Sequence, residues 1–178
     1  STSQTNRVET ISSQAFIIAE ALRKAGIPCR VLSFCSMTGY TIVRTFDKNR
    51  DIFEYVANGC NRDGLAIRAT RKLMSTEQAE HKMLIVLSDV KPNDVIRIPV
   101  YEGAERVPYD KKAGLYDTAY EVRRARSDGI SVICIFTGDD EDLKSAKTVY
   151  GSDFVRIRSF STLADTVGKL IKTQIKNL

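Results

Sequence analysis

The feature that most limits how this chain can fold is HKMLIVLSD at 81–89, in which Met83 to Leu87 are apolar without a break. A strand with one wet face alternates apolar and polar residues. One that is apolar at every position is buried on both faces, as in a parallel sheet with helices on each side. SVICIFTG (131–138) has the same character. Elsewhere the apolar spacing is helical. Val8, Ile11, Ala15, Ile18, Ala19 and Leu22 recur at steps of three and four, which predicts a helix ended by Gly26. CRVLSFCSM (29–37), a turn at Thr38-Gly39 and YTIVRTFD (40–47) read as a β-hairpin. Strands alternating with helices predict a doubly wound α/β sheet.

The remaining segments fit that pattern. Ile52, Phe53 and Val56 suggest a short helix, and Leu65, Ile67, Ala69 and Leu73 another, entered from the polar turn at 58–64. After 81–89 comes a long polar connection, 90–113, and then a helix over 116–128. A helix from Asp139 to about Val149, a short strand at 154–158 and a final helix capped by Ser161 or Thr162 complete the chain. At 178 residues this is one domain, able to bury a sizeable core.

Composition removes several classes of function. With 43% hydrophobic and 28% charged residues the chain is neither disordered nor of low complexity. No run approaches the roughly 20 apolar residues of a membrane-spanning helix, so no membrane partner is expected. The net charge of +5 invites a nucleic-acid reading. The basic residues are scattered, however, with acidic residues between them, and no aromatic-studded basic stripe appears, so nucleic acid is not expected as a partner. Cys29, Cys35, Cys60 and Cys134 lack zinc-site spacing and read as reduced thiols, which with the polar start STSQTNRVE suits a cytoplasmic protein.

In open α/β sheets, ligands bind where strands end and the chain leaves for a helix. That rule selects Ser88-Asp89 with the following Val90–Asp94, the turn Asn58–Gly64, and Ser1-Thr2-Ser3 ahead of the first helix. Hydroxyls, an amide and carboxylates on one edge are hard oxygen donors of the kind Mg²⁺ prefers. His81 is the sole histidine and begins a strand at the opposite end, which argues against imidazole metal sites and His-based triads. Phosphate loops of the GxxxxGKS/T and GxGxxG types are absent. Asp94 is expected to be solvated, and Tyr101, Tyr109 and Tyr116 to be packing or surface residues. The loop 90–113, with Arg97, Glu102, Glu105 and Arg106, lies near the same edge, where it could meet a partner.

STSQTNRVETISSQAFIIAEALRKAGIPCRVLSFCS, NRDGLAIRATRKLM, KMLIVLSDVKPND and YDTAYEVRRARSDGISVICIFT, taken in order, resemble a von Willebrand factor A domain. The resemblance is closest to the bacterial branch of nitric oxide reductase activation proteins and cobaltochelatase subunits, and covers essentially the whole chain. It implies a mostly parallel sheet with one antiparallel edge strand, and a metal-ion-dependent adhesion site. Carried over by position, Ser1 and Ser3 are the serines of DxSxS, Asn61 stands at the Thr position with Asp63 beside it, and Asp89 is the Asp of the usual T/S-D-G. Val90 replaces that motif's glycine. The first central strand and its Asp fall ahead of Ser1, so the chain reads as the C-terminal part of a larger protein. A shifted serine register, or a gap filled by another segment, are the alternatives.

The resemblance implies a non-enzymatic interaction module. Mg²⁺, or Mn²⁺ or Ca²⁺ in its place, would leave one coordination position for a carboxylate from a protein partner. A MoxR-type AAA+ ATPase is the implied partner, the pair assembling or activating a metalloenzyme complex. The alternative is a small α/β hydrolase or phosphotransfer enzyme using Asp89, against which stand the absence of a DxD partner and of an obvious activating Lys or His.

Overall fold

The first helix, α1 (Val8–Lys24), follows the predicted periodicity and closes as expected. Gly26 N–H donates to Arg23 O and Ile27 N–H to Leu22 O, a pattern that needs the left-handed backbone Gly26 adopts at φ +73°. The structure is a computed structural model, and it describes residues 7–37, 40–95, 103, 105, 108–157, 163 and 167–169. The turn predicted at Thr38-Gly39 lies outside them, as do Ser1, Ser3, Tyr101, Arg97, Glu102 and Arg106.

After α1 the hairpin forms as predicted: β1 (Val31–Met37) runs antiparallel to β2 (Tyr40–Phe46), with Phe34 opposite Val43. A 3₁₀ turn (Asn49–Glu54) leads towards α2 (Asp63–Ser75). The apolar run becomes β3 (Lys82–Ser88), followed by α3 (Lys111–Ser127) and β4 (Ile130–Phe136). A short turn precedes α4 (Leu143–Tyr150), and β5 (Phe154–Arg156) ends the strands. Leu163 and residues 167–169 are helical, in keeping with the last predicted helix, and Leu163 and Val167 are buried.

β3, β4 and β5 form a parallel sheet in that order, with Val86 beside Cys134 and Ile135 beside Val155. Alternate residues enter different layers. Val86, Val132, Cys134 and Phe136 pack with Ile67 of α2, Val122 of α3 and Val149 of α4. Ile85, Leu87 and Ile135 pack on the other face with Ile18 of α1, Leu163 and Val167. This two-sided burial is what the unbroken apolar runs require.

The hairpin and the parallel sheet are separate. Among the described residues β1 pairs only with β2, and β3 has β4 as its one partner strand. Between β1 and β3 lies an apolar slot of about 1030 Å³, roofed by α1 on one side and α2 on the other. β3, which borders the slot, is only partly buried at most positions, although β4 is buried at nearly all. α1 holds the two sheets together, because Ile17 and Ile18 pack under the parallel sheet while Phe16 and Ala19 pack with Val31, Phe46 and Ile52. Among the described residues no helix is long and apolar enough to cross a membrane.

Candidate metal centre

The end of β1 and the segment that follows β3 are joined through the 60–61 backbone by two bridges. Cys60 exchanges hydrogen bonds with Ser36 (2.7 and 3.0 Å), and Asn61 exchanges them with Asn93 (2.8 and 2.9 Å). The polar turn at 58–64 thereby spans the mouth of the slot. Gly59 makes this possible: its φ is +64°, and a Cβ there would lie 2.9 Å from Ser36 O. Ser36 Oγ also accepts the Arg62 N–H at 3.0 Å, fixing the start of α2 against the hairpin.

Three of the five residues selected as metal ligands come together on this rim. Asn61, Asp63 and Asp89 all line the end of the slot, beside Ser88. Asn61 Nδ2 donates to Asp63 Oδ1 (2.7 Å) and to Lys91 O (3.1 Å), which sets the amide so that its oxygen is the remaining acceptor. Ser88 Oγ donates to Asp63 Oδ2 (3.0 Å) and accepts the Val90 N–H (2.9 Å). Lys91 N–H donates to Asp89 Oδ1 at 3.2 Å. Asn61, Asp63, Ser88 and Asp89 are each at most 4% exposed.

Burial pushes the Asp63 carboxyl up to about 6, and the neighbouring Asp89 charge adds to the rise against the lowering effect of the Asn61 and Ser88 hydrogen bonds. Asp63 and Asp89 thus place two buried carboxylates on one rim. The Lys91 ammonium lies 2.8 Å from Asp142 and is also attracted at longer range by Asp89. The donor set is hard oxygen throughout, which fits a cation that binds few protein carboxylates and keeps several waters. Among the described residues no group of three or more His, Cys, Asp or Glu side chains could hold a metal. The two carboxylates would therefore need neutral oxygens, water or a partner to complete a coordination shell.

Val90 carries strain at this site. Its φ of +55° is a left-handed conformation that disfavours β-branched residues, and it is held there buried in the core. The resemblance expects glycine at this position; the loop takes the shape glycine would allow, at a cost of about 1–3 kcal/mol.

One further expectation is corrected. Asp94 is not solvated: it is 3% exposed and paired with Arg62 Nε at 2.6 Å. Tyr109 is a buried polar anchor whose hydroxyl donates to Asp117, while Arg62 stacks 4.5 Å from its ring centre. Of the four cysteines, all free, only Cys134 is fully buried and Cys29 is exposed. The supporting residues Ser36, Arg62 and Tyr109 were missed as parts of the site. Adjacency of Arg62 to Asn61 was a usable signal for one of them; the partner of the other two lies across the fold.

No family model matches the chain. It is 27% identical to the uncharacterized protein PA0525 of Pseudomonas aeruginosa over 156 residues, and 25% identical to the uncharacterized protein YojO of Bacillus subtilis over 192 aligned positions. These matches cover 82% and 97% of this chain but 24% and 28% of the relatives, so the chain spans about a quarter of their length. Among solved structures, the open pilus adhesin SpaC of Lactobacillus rhamnosus GG matches with TM-score 0.68 and 15% identity, covering 98% of this chain and 29% of SpaC. The conserved hypothetical protein BatB of Bacteroides thetaiotaomicron matches with TM-score 0.61 and 12% identity, covering 96% of this chain and 89% of BatB. Together with the element order, these likenesses define a von Willebrand factor A-like α/β fold.

Proposed function

We propose that the chain is a non-enzymatic protein-interaction module whose rim binds Mg²⁺, with Mn²⁺ or Ca²⁺ as substitutes. The observation that carries this reading is the meeting of Asn61, Asp63, Ser88 and Asp89, from two loops, at the C-terminal strand edge. Asp89 and the Asn61 amide oxygen would hold the cation, and Asp63, fixed by Asn61 and Ser88, would hold it directly or through water. A bound divalent cation supplies a positive point that a partner's Asp or Glu can complete, giving a strong contact without a large apolar interface. The partner proposed is an AAA+ ATPase of the MoxR type, the pair acting on a metalloenzyme complex in the cytoplasm. That identification rests on the resemblance of the sequence segments, and the longer relatives leave room for further functional parts.

Calorimetric titration of Mg²⁺ and Mn²⁺ into the chain tests the site. Asp89→Ala is expected to weaken both at least roughly tenfold, the cost that losing even an outer-shell partner carries in other metal sites. Equal affinity in the two proteins removes the proposal.

A further inference from the structure

We infer that the outward face of α3, centred on Tyr116, Tyr120, Arg123 and Arg124, is a docking surface for an acidic segment of another protein. With Ser127, these residues recur at steps of three and four along the helix, and all are exposed, Tyr116 at 62% and Tyr120 at 48%. The opposite face of α3 carries Ala119, Val122 and Ala125 into the core, so the stripe points away from the sheet.

Charge carries the inference. Among the described residues every arginine has a carboxylate partner except two, Arg123 and Arg124, which are neighbours on this stripe. The cause lies in the seam between α2 and α3. Arg68 of α2 takes Glu121 at 2.7 Å, and Arg71 takes Asp128 at 2.6 Å. Those two acids stand one helical turn either side of Arg124, and both are engaged from the neighbouring helix. Arg124 instead lies 5.9 Å from the Tyr120 ring centre and donates to Tyr120 Oη at 3.3 Å, which uses one of its five N–H groups. Lys144 and Lys147, exposed on the adjoining α4, add to the positive charge.

The side chains also define the partner. A guanidinium takes a carboxylate through two parallel hydrogen bonds, and Tyr and Arg are the residue types from which binding hot spots are most often built. The tyrosines supply apolar rings with a polar tip, so the partner carries two or more Asp or Glu set around an aliphatic or aromatic side chain. From Tyr116 to Ser127 the stripe is about 16 Å long, the length of roughly three helical turns. A nucleic acid fits this face less well. Asp110 caps the start of α3 and Asp128 its end, so the positive track is interrupted at both ends, whereas a phosphate chain draws on cations along its whole path. One face of the Tyr120 ring is covered by Arg124 rather than open for a base to stack on.

Titrations in metal-free buffer test the inference independently of cation binding. Three fluorescent probes are compared by anisotropy: an amphipathic peptide of about 14 residues with Glu and Leu at helical spacing, the same peptide with Gln for every Glu, and an oligothymidylate of similar length. The acidic peptide is expected to bind most tightly and to shift the amides of residues 116–127. Arg123→Glu combined with Arg124→Glu should weaken it at least roughly tenfold, and the milder Arg123→Gln with Arg124→Gln at least roughly threefold. Lys24→Glu with Lys48→Glu makes the same change in net charge at exposed positions elsewhere, and should alter the affinity less than about twofold. No binding of the acidic peptide, or equal binding of the Gln peptide, would overturn the inference. So would tighter binding of the oligothymidylate, which would make the face a nucleic-acid site. Equal weakening by the Lys24 and Lys48 reversals would reduce it to net charge, and so overturn it too.

Discussion

Replacing Asp63 by Asn should make the metal-free protein more stable at neutral pH, although it removes a residue of the candidate site. The carboxyl has an ordinary value of 3.8 and stands at about 6 in the fold, chiefly because it is buried. The fold therefore prefers protonated over ionised Asp63 by about 3 kcal/mol. The sign is that of a raised group: the associated stability is fully present below about pH 4 and is lost as pH rises through about 6. An asparagine in its place carries no charge and escapes this loss. Its amide keeps one acceptor for Asn61, but it turns a donor towards Ser88, whose hydroxyl already accepts the Val90 N–H. Disturbing that hydrogen bond costs about 1 kcal/mol, so a net gain of about 1–2 kcal/mol is expected at pH 7. Urea unfolding of both proteins from pH 3.5 to 7.5, with chelator present, measures the difference directly. The gap should be absent or reversed near pH 3.5 and open between pH 4 and 6. A gap that does not change with pH, or an Asp63→Asn protein less stable than the wild type at pH 7, would refute the assigned burial and charge coupling. Saturating Mg²⁺ should shrink or invert the gap, because a ligand that binds only the folded wild-type protein stabilises it.

Asp94→Ala should cost about 3–5 kcal/mol, because it removes the acid paired with the charged and almost wholly buried Arg62, whereas Asp139→Ala, breaking the exposed pair with Arg7, should cost far less by the same unfolding assay. Gly64→Ala should destabilise by about 1–3 kcal/mol, since its Cβ would meet the Asp117 carboxylate and lie 3.1 Å from the Asp117 backbone; thermal unfolding would show it. Among the four free thiols Cys134, its ionisation pushed well up by burial, should resist iodoacetamide until the protein is unfolded, as read by mass spectrometry.

Much of the architecture was legible because it rests on local apolar spacing. β3 and β4 lie within a residue or two of their predicted ranges, since an unbroken apolar run leaves no other way to be buried. Asp89 could be placed at a strand's carboxyl end from that run alone. The start of α3 was less visible: it begins at Lys111 rather than near 116, because Lys-Lys-Ala-Gly carries no apolar signal. Gly114 is tolerated there because Pro92 packs against it; a Cβ would come 2.9 Å from the proline ring. Asp94 was misread for a different reason. Its partner Arg62 lies 32 residues away, and no local pattern tells a buried acid from a wet one. The left-handed Val90 shows the opposite case, in which the residue stands out in the sequence but only the backbone reveals what the loop demands of it.

Manganese broadening of the amide spectrum tests the cation site most directly. Substoichiometric Mn²⁺ is expected to broaden Asn61, Asp63, Ser88 and Asp89 first, while His81, at the far end of β3 and roughly 20 Å away, stays sharp. Unchanged signals at Asn61 and Asp63, or broadening spread over the acidic surface without preference for the rim, would contradict the account.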